Sequence, residues 1–225
     1  MFALQRIPEP EAMASQEEVE AYTDFLDAPE FSANDEKLVR RILDLGIDSG
    51  DALDVGCGPG QIAFMLAKSR PELHVTGIDL SDAMLLRAAQ DAANMGLASR
   101  VTFQRCEPNR LGIPDSSMDL IYCNSVLHHM DDPVAMMQAM EQALKPGGAL
   151  LMNDLCRPGL LNYWWHVRWY GRDYTGLMRQ LYRQSVRAAY TLDEVRALVR
   201  QAGIQPVEYF QQGRTHLGYF RKAEE

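Results

Sequence analysis

Within "ALDVGCGPGQIAF", residues 52–64, three glycines stand at alternate positions, Gly56, Gly58 and Gly60, between two apolar runs. Glycine strips the chain of side-chain bulk, so a turn can be tight and a ligand can approach the main chain, at an entropic cost that a plain connection rarely carries. An apolar strand before this turn and a helix after it would present main-chain N–H groups to a nucleotide-like ligand. Asp79 closes the next apolar run, and an acid about 20 residues beyond the glycines is placed to accept hydrogen bonds from two ribose hydroxyls. The dinucleotide pattern Gly-x-Gly-x-x-Gly is nevertheless broken, because Gln61 stands where the last glycine belongs. A ligand with a ribose and no pyrophosphate fits that departure.

The rest of the chain obeys the alternation this turn begins. Short apolar runs near 51–55, 74–79, 100–106, 118–123 and 149–154 read as strands, and segments near 60–70, 81–95 and 132–145 read as helices between them. Strands alternating with helices give a parallel sheet covered on both faces, an α/β doubly wound fold. Ser81 is expected to cap the second helix and Gly96 to close it, and "LKPGG" at 144–148 is read with Lys145 in a last helical turn that Pro146 and two glycines stop. Near the amino end, Ser32 or Asn34 is expected to cap a helix through Leu38, Ile42 and Leu45. Near the other end, "TLDEVRALVRQAGI" reads as an amphipathic helix capped by Thr191 and closed by Gly203, followed by two strands in "QPVEYFQ" and "THLGYFRK".

Charge is unevenly placed. The 225 residues carry a formal net charge of -9, and residues 1–36 hold ten acids against Arg6 alone, so the remainder is neutral. Inside that remainder, residues 157–190 hold six arginines against Asp173. A globally acidic chain is a poor match for nucleic acid, whose binding rests on clustered Lys and Arg. No apolar run reaches the roughly 18 to 20 residues of a membrane span, and the acidic start lacks the features of a signal peptide, so a cytoplasmic location is expected. Cys57, Cys106, Cys123 and Cys156 form no Cys-x-x-Cys pair and are expected reduced. The five histidines show no His-Glu-x-x-His spacing, and no metal site is expected.

Five stretches in order, "LDVGCGPG" at 53–60, "VTGIDLSDAML" at 75–85, "VTFQRCEPNRLGIPDSSMDLI" at 101–121, "NSVLHHMDDP" at 124–133 and "LKPGGALLMND" at 144–154, resemble the class I S-adenosylmethionine-dependent methyltransferases of the small-molecule group. The resemblance implies a Rossmann-like, seven-stranded, mostly parallel sheet with an antiparallel edge hairpin, N-terminal helices and a helical insert after the fifth strand. It also implies one methyltransferase domain over 1–225: an acidic cap at 1–36, a cofactor core at 37–156, an aromatic and Arg-rich lid at 157–190 and a closing helix and strand pair at 191–225. By the same resemblance, Asp54, Gly56, Cys57, Gly58 and Gly60 would line the methionine part of S-adenosylmethionine, Asp79 would hold the ribose, Leu80, Cys106 and Glu107 would flank adenine, and Asn124 and Tyr22 would border the methionine end.

Methyl transfer from a sulfonium is largely a matter of aligning nucleophile, carbon and sulfur, with a base where a proton must leave. His128 and His129 are the candidates, because an imidazole titrates near neutrality; packing or capping is the alternative reading. In the insert, Trp164, Trp165, Trp169, Arg168 and Tyr170 are candidates for the walls of a site for an apolar or aromatic anionic acceptor. The same interleaving of arginine and aromatic residues also suits tRNA or a lipid-like substrate at a membrane surface. The alternative of another class is a cofactor-binding partner subunit without turnover.

Overall fold

In the computed structural model, which describes residues 4–9, 29–107 and 110–224, a seven-stranded sheet runs β1 (Ser49–Val55), β2 (Glu72–Asp79), β3 (Val101–Arg105), β4 (Met118–Asn124), β5 (Leu144–Leu155), β6 (Glu208–Gln212) and β7 (His216–Arg221). Their spatial order is β3-β2-β1-β4-β5-β7-β6, parallel from β3 to β5, with β7 antiparallel to both of its neighbours. Described helices are α1 (Pro29–Leu43), α2 (Gln61–Ser69), α3 (Asp82–Asn94), α4 (Pro133–Ala143), α5 (Tyr163–Tyr170), α6 (Gly176–Ala188) and α7 (Leu192–Ala202). This is the expected Rossmann-like architecture with its edge pair and helical insert.

Side-chain alternation along the strands divides the core. Leu53 and Val55 of β1, Ile121 and Cys123 of β4, and Leu150 and Met152 of β5 pack with Met136, Met137 and Met140 of α4 and with Val195 and Val199 of α7. The intervening residues Ala52, Leu120, Tyr122, Ala149 and Leu151 pack with Ile42 of α1, Phe64 and Leu66 of α2 and Ala92 of α3. Both faces are therefore dry, which is why the strands read as nearly continuous apolar runs rather than as alternating ones. A smaller cluster, Leu4 with Tyr163, Val167 and Val186, pins residues 4–9 under the insert.

Local signals set several helix ends, those at Ser81, Thr191 and Gly203 as expected. The Ser81 hydroxyl accepts from Met84 N–H at 3.4 Å, Asp132 caps α4 through Ala135 N–H, and Thr191 and Glu194 form a reciprocal capping box on α7 with Gly203 in the left-handed conformation behind it. Two expectations are corrected. Lys145 is not in a helical turn: α4 ends at Ala143, and β5 starts at Leu144, paired with Met118 ahead of an irregularity in register, with Lys145 Nζ donating to Asp119 Oδ2 at 2.7 Å. Cross-strand pairing outweighed the local stop signal. Likewise Ser32 and Asn34 do not start a helix but lie inside α1, whose described residues run from Pro29 to Leu43.

Candidate functional site

Strands β1, β2, β4 and β5 end on one edge of the sheet, and open α/β sheets take ligands at that edge. The loop after β1 is held there by main-chain bonds from Gly56 N and Cys57 N to Ile78 O, at 2.8 and 3.0 Å. Gly56, Gly58 and Gly60 have φ of 72°, 52° and 85°. A side chain at Gly56 would strike Val126, and one at Gly60 would strike Phe103 and Phe64, so these two are demanded by packing. Gly58 differs, since a Cβ there would meet nothing within 4 Å. Bare backbone at that position faces open space. Gly60 also precedes α2 without a side-chain cap, leaving the positive end of that helix on the loop.

Asp79 ties the site together. Its Oδ2 accepts from Gly58 N–H and its Oδ1 from Ser81 N–H, both at 2.9 Å. A carboxylate offers about four acceptor positions, so two remain for a diol. Leu80 beside it is 45% exposed, a large apolar side chain left at the rim. Cys106 and Glu107 follow β3 on the same side, Cys106 N donating to Asp79 O and its Sγ–H to Arg110 O. Asp54 sits beneath the loop, buried, its Oδ2 without a hydrogen bond, as is the neighbouring Tyr122 hydroxyl. Burial pushes its carboxyl up to about 8, with the charge of Asp79 adding to the rise. An orphaned buried carboxyl oxygen under an open glycine loop fits a cationic group above it. At the end of β4, Asn124 Oδ1 accepts from Asn153 Nδ2 at 2.7 Å, and Ser125 holds a φ of 59°, rare for a residue with a side chain. Tyr22 lies outside the described residues.

Just past that strained residue, a single 3-10 turn carries both histidines. His128 is fully buried, with Nδ1 2.5 Å from Asp154 Oδ1 and its main-chain N–H donating to Asp154 Oδ2 at 3.1 Å. Burial by itself would lower the pKa of His128, but the Asp154 carboxylate and its hydrogen bond outweigh it, with Glu9 assisting, and hold it above the ordinary value. His129 goes the other way, to about 3, through burial and the charge of His128. Glu9 Oε2 lies 3.8 Å from His128 Nε2 and 3.3 Å from His129 Nδ1. The three together offer ligand atoms within 4.8 Å of one another, the spacing a divalent cation would accept, which no pattern in the sequence had suggested.

Glu9 belongs equally to a cavity of about 600 Å³ between residues 7–9, Tyr163 and α6. Arg179, Arg183 and Arg187, one helical turn apart, line it, and none has an acidic partner among the described residues. Arg187 Nε is buried without a hydrogen bond. Of the expected acceptor walls, Trp164, Trp165 and Trp169 are 70, 47 and 53% exposed, and neither they, Arg168 nor Tyr170 lines this cavity. They lie elsewhere because α5 buries Tyr163, His166 and Val167 and so turns its other side outward. Sequence reasoning also missed Asp154 and Glu9. An acid inside the apolar run "ALLMNDL" was the available signal for the first.

The family model of the methyltransferase domain matches residues 48–202. The chain is similar to 27-O-demethylrifamycin SV methyltransferase of Amycolatopsis mediterranei, 32% identical over an alignment of 185 residues that covers 78% of this chain and 63% of that protein. It is also similar to phosphoethanolamine N-methyltransferase 1 of Arabidopsis thaliana, 39% identical over 105 residues, 47% of this chain and 21% of the plant protein. It thus spans less than two thirds of either relative. Among solved structures, a SAM-dependent methyltransferase from Aquifex aeolicus superposes with a TM-score of 0.70 at 21% identity, covering 92% of this chain and 98% of that one.

Proposed function

We propose that this chain, which belongs to the class I methyltransferase family, transfers a methyl group from S-adenosylmethionine to a small acceptor with an apolar body and an anionic group. One observation carries the cofactor half of the reading: Asp79 fixes the glycine loop with half its acceptor capacity unspent, opposite an uncovered Gly58. Asp79 would hold the ribose, Leu80, Cys106 and Glu107 the adenine, and Asp54, the Gly56–Gly60 loop and Asn124 the amino-acid end. When bound, that cofactor supplies an activated methyl group on a sulfonium.

The chain's own chemistry is positional and proton-handling. Asp154 fixes the orientation of His128 by gripping both its ring and its main chain, so Nε2 is directed toward Glu9 and the cavity wall. Above its raised pKa, His128 can take a proton at Nε2 from an acceptor hydroxyl or ammonium while Asp154 stabilises the imidazolium that forms. His129, held neutral, is left to packing and to Glu9. The arginines of α6 would seat the anionic end, since charge-assisted bonds from guanidinium are the strong ones and no described acid is ion-paired with these three. Sequestration under residues 4–9 would keep water from the reacting atoms.

The first test is calorimetric titration of S-adenosylmethionine into the wild type and into Asp79→Ala. Micromolar affinity that weakens at least tenfold in the variant is expected. Equal affinity in the two proteins would remove Asp79 from the cofactor site, and the absence of binding to the wild type would overturn the reading as a methyltransferase with turnover.

A further inference from the structure

We infer that the solvent face of α5, with the turn that precedes it, docks this protein on an anionic lipid surface. Residues 161, 164, 165, 168, 169 and 172 follow the three-and-four spacing of one helical face. That face reads Leu-Trp-Trp-Arg-Trp-Arg, and it is turned outward: Leu161 is 84% and Trp164 70% exposed, with Leu160, Trp165 and Trp169 about half exposed. The opposite face of the same helix, Tyr163, His166 and Val167, is already buried on the molecule. A helix apolar on both sides is normally an interior helix, and a continuous apolar patch at the surface marks something it meets.

The chemistry of the patch selects the occupant. Tryptophan and arginine side chains, each apolar along most of their length with a polar end, settle at the boundary between headgroups and acyl chains. Each exposed indole is accompanied by a guanidinium: Arg183 lies 6.0 Å above Trp164, Arg214 5.6 Å above Trp165 and Arg172 5.7 Å above Trp169. Arg172 is shared with Asp173 at 3.2 Å, whereas Arg168, Arg183 and Arg214 have no acidic partner among the described residues. Lipid phosphates would supply what is missing. The chain's net charge of -9 is a sum over the whole sequence, whereas among the described residues Asp173 is the one acid ion-paired with an arginine of this patch.

RNA is the weaker fit. Bases need open aromatic faces, and here Trp165 and Trp169 stack on each other at 5.7 Å with planes 6° apart, consuming one face of each, while Leu160 and Leu161 offer a base nothing to stack on. Insertion into a bilayer uses edges and aliphatic ends equally well. Docking would also place Tyr163 and Arg183, which line the cavity described above, next to the lipid surface. The docking itself does not depend on what that cavity binds.

Vesicle cosedimentation with intrinsic tryptophan fluorescence tests it, comparing pure phosphatidylcholine with phosphatidylcholine containing one quarter phosphatidylglycerol, at low and high salt. We expect binding and a blue shift with the anionic vesicles only, weakened by salt. Partitioning should fall roughly fivefold in Arg168→Gln, the effect of one surface charge, and at least tenfold in Leu161→Ser/Trp164→Ser, from lost apolar burial. All three positions are exposed, so wild-type melting temperatures are expected and separate docking from folding. Equal binding of the double variant, indifference to phosphatidylglycerol, tighter retention by mixed RNA than by vesicles, or a dimer that the double variant dissolves would each overturn the inference.

Discussion

His128 is a residue whose chemistry is set by what two distant segments bring to it. Asp154 holds its pKa above the ordinary value, and the sign of the consequence is definite: as pH rises through that raised pKa, His128 loses its proton and becomes able to accept another. Activity should therefore climb along an acid limb positioned above pH 6.5, and Asp154→Asn should move that limb to lower pH while reducing kcat, because burial is then opposed by Glu9 alone. Rate profiles of the two proteins measured with saturating cofactor check this. A chelator distinguishes the neighbouring possibility. Full activity in its presence keeps His128 as the proton acceptor, whereas chelator-sensitive activity restored by a divalent cation would reassign Glu9, His128 and His129 as ligands. The sequence offered both histidines of "LHH" as bases but could neither choose between them nor show the ligand set, since the dyad spans 26 residues of sequence and Glu9 lies further still. By contrast Asp79 could be found from spacing, because both of its partners, Gly58 and Ser81, are fixed by the turn chemistry of the strands it joins.

Elements differ in how much of their role is local. Helix α7 begins and ends where its residues say, with a capping box at one end and a left-handed glycine at the other. Strand β5 does not, because its first residues are recruited across a bulge by β4 against the Pro-Gly-Gly signal. Helix α6 carries its meaning in a stripe, Arg179, Arg183 and Arg187, whose spacing of four was visible but whose orientation was not. Replacing Arg179 and Arg187 with glutamine should raise KM for an anionic acceptor by roughly tenfold to a hundredfold, the loss of one charge-assisted hydrogen bond or two, with S-adenosylmethionine affinity unchanged. Steady-state kinetics beside a cofactor titration reads both. An unchanged KM would move the anionic group away from this helix.

Across the whole molecule, residues 4–9 act as a strap. Ile7 N donates to Arg187 O, Arg6 donates to the carbonyls of Ala188 and His128, and Leu4 fills the cluster beneath the insert, so the amino end joins α6 to the histidine turn. Removing residues 1–9 should leave the sheet intact while speeding amide exchange over α6 by at least tenfold, and hydrogen-exchange mass spectrometry would see it; unchanged protection would mean that the insert is held by the core alone. Sequence by itself determined the sheet, its helices and the cofactor edge, because strand periodicity, caps and left-handed glycines are properties of neighbours along the chain. It also determined that residues 157–190 would be basic and aromatic. Only the tertiary structure decided which side of α5 meets solvent, that Arg157 is spent inside on Glu194 at 2.5 Å rather than offered to a ligand, and that Asp154, Glu9 and the two histidines meet at one point. The reason is common to all three: burial and charge pairing depend on segments far apart in sequence, and their cost or benefit exists only once the chain has excluded water between them.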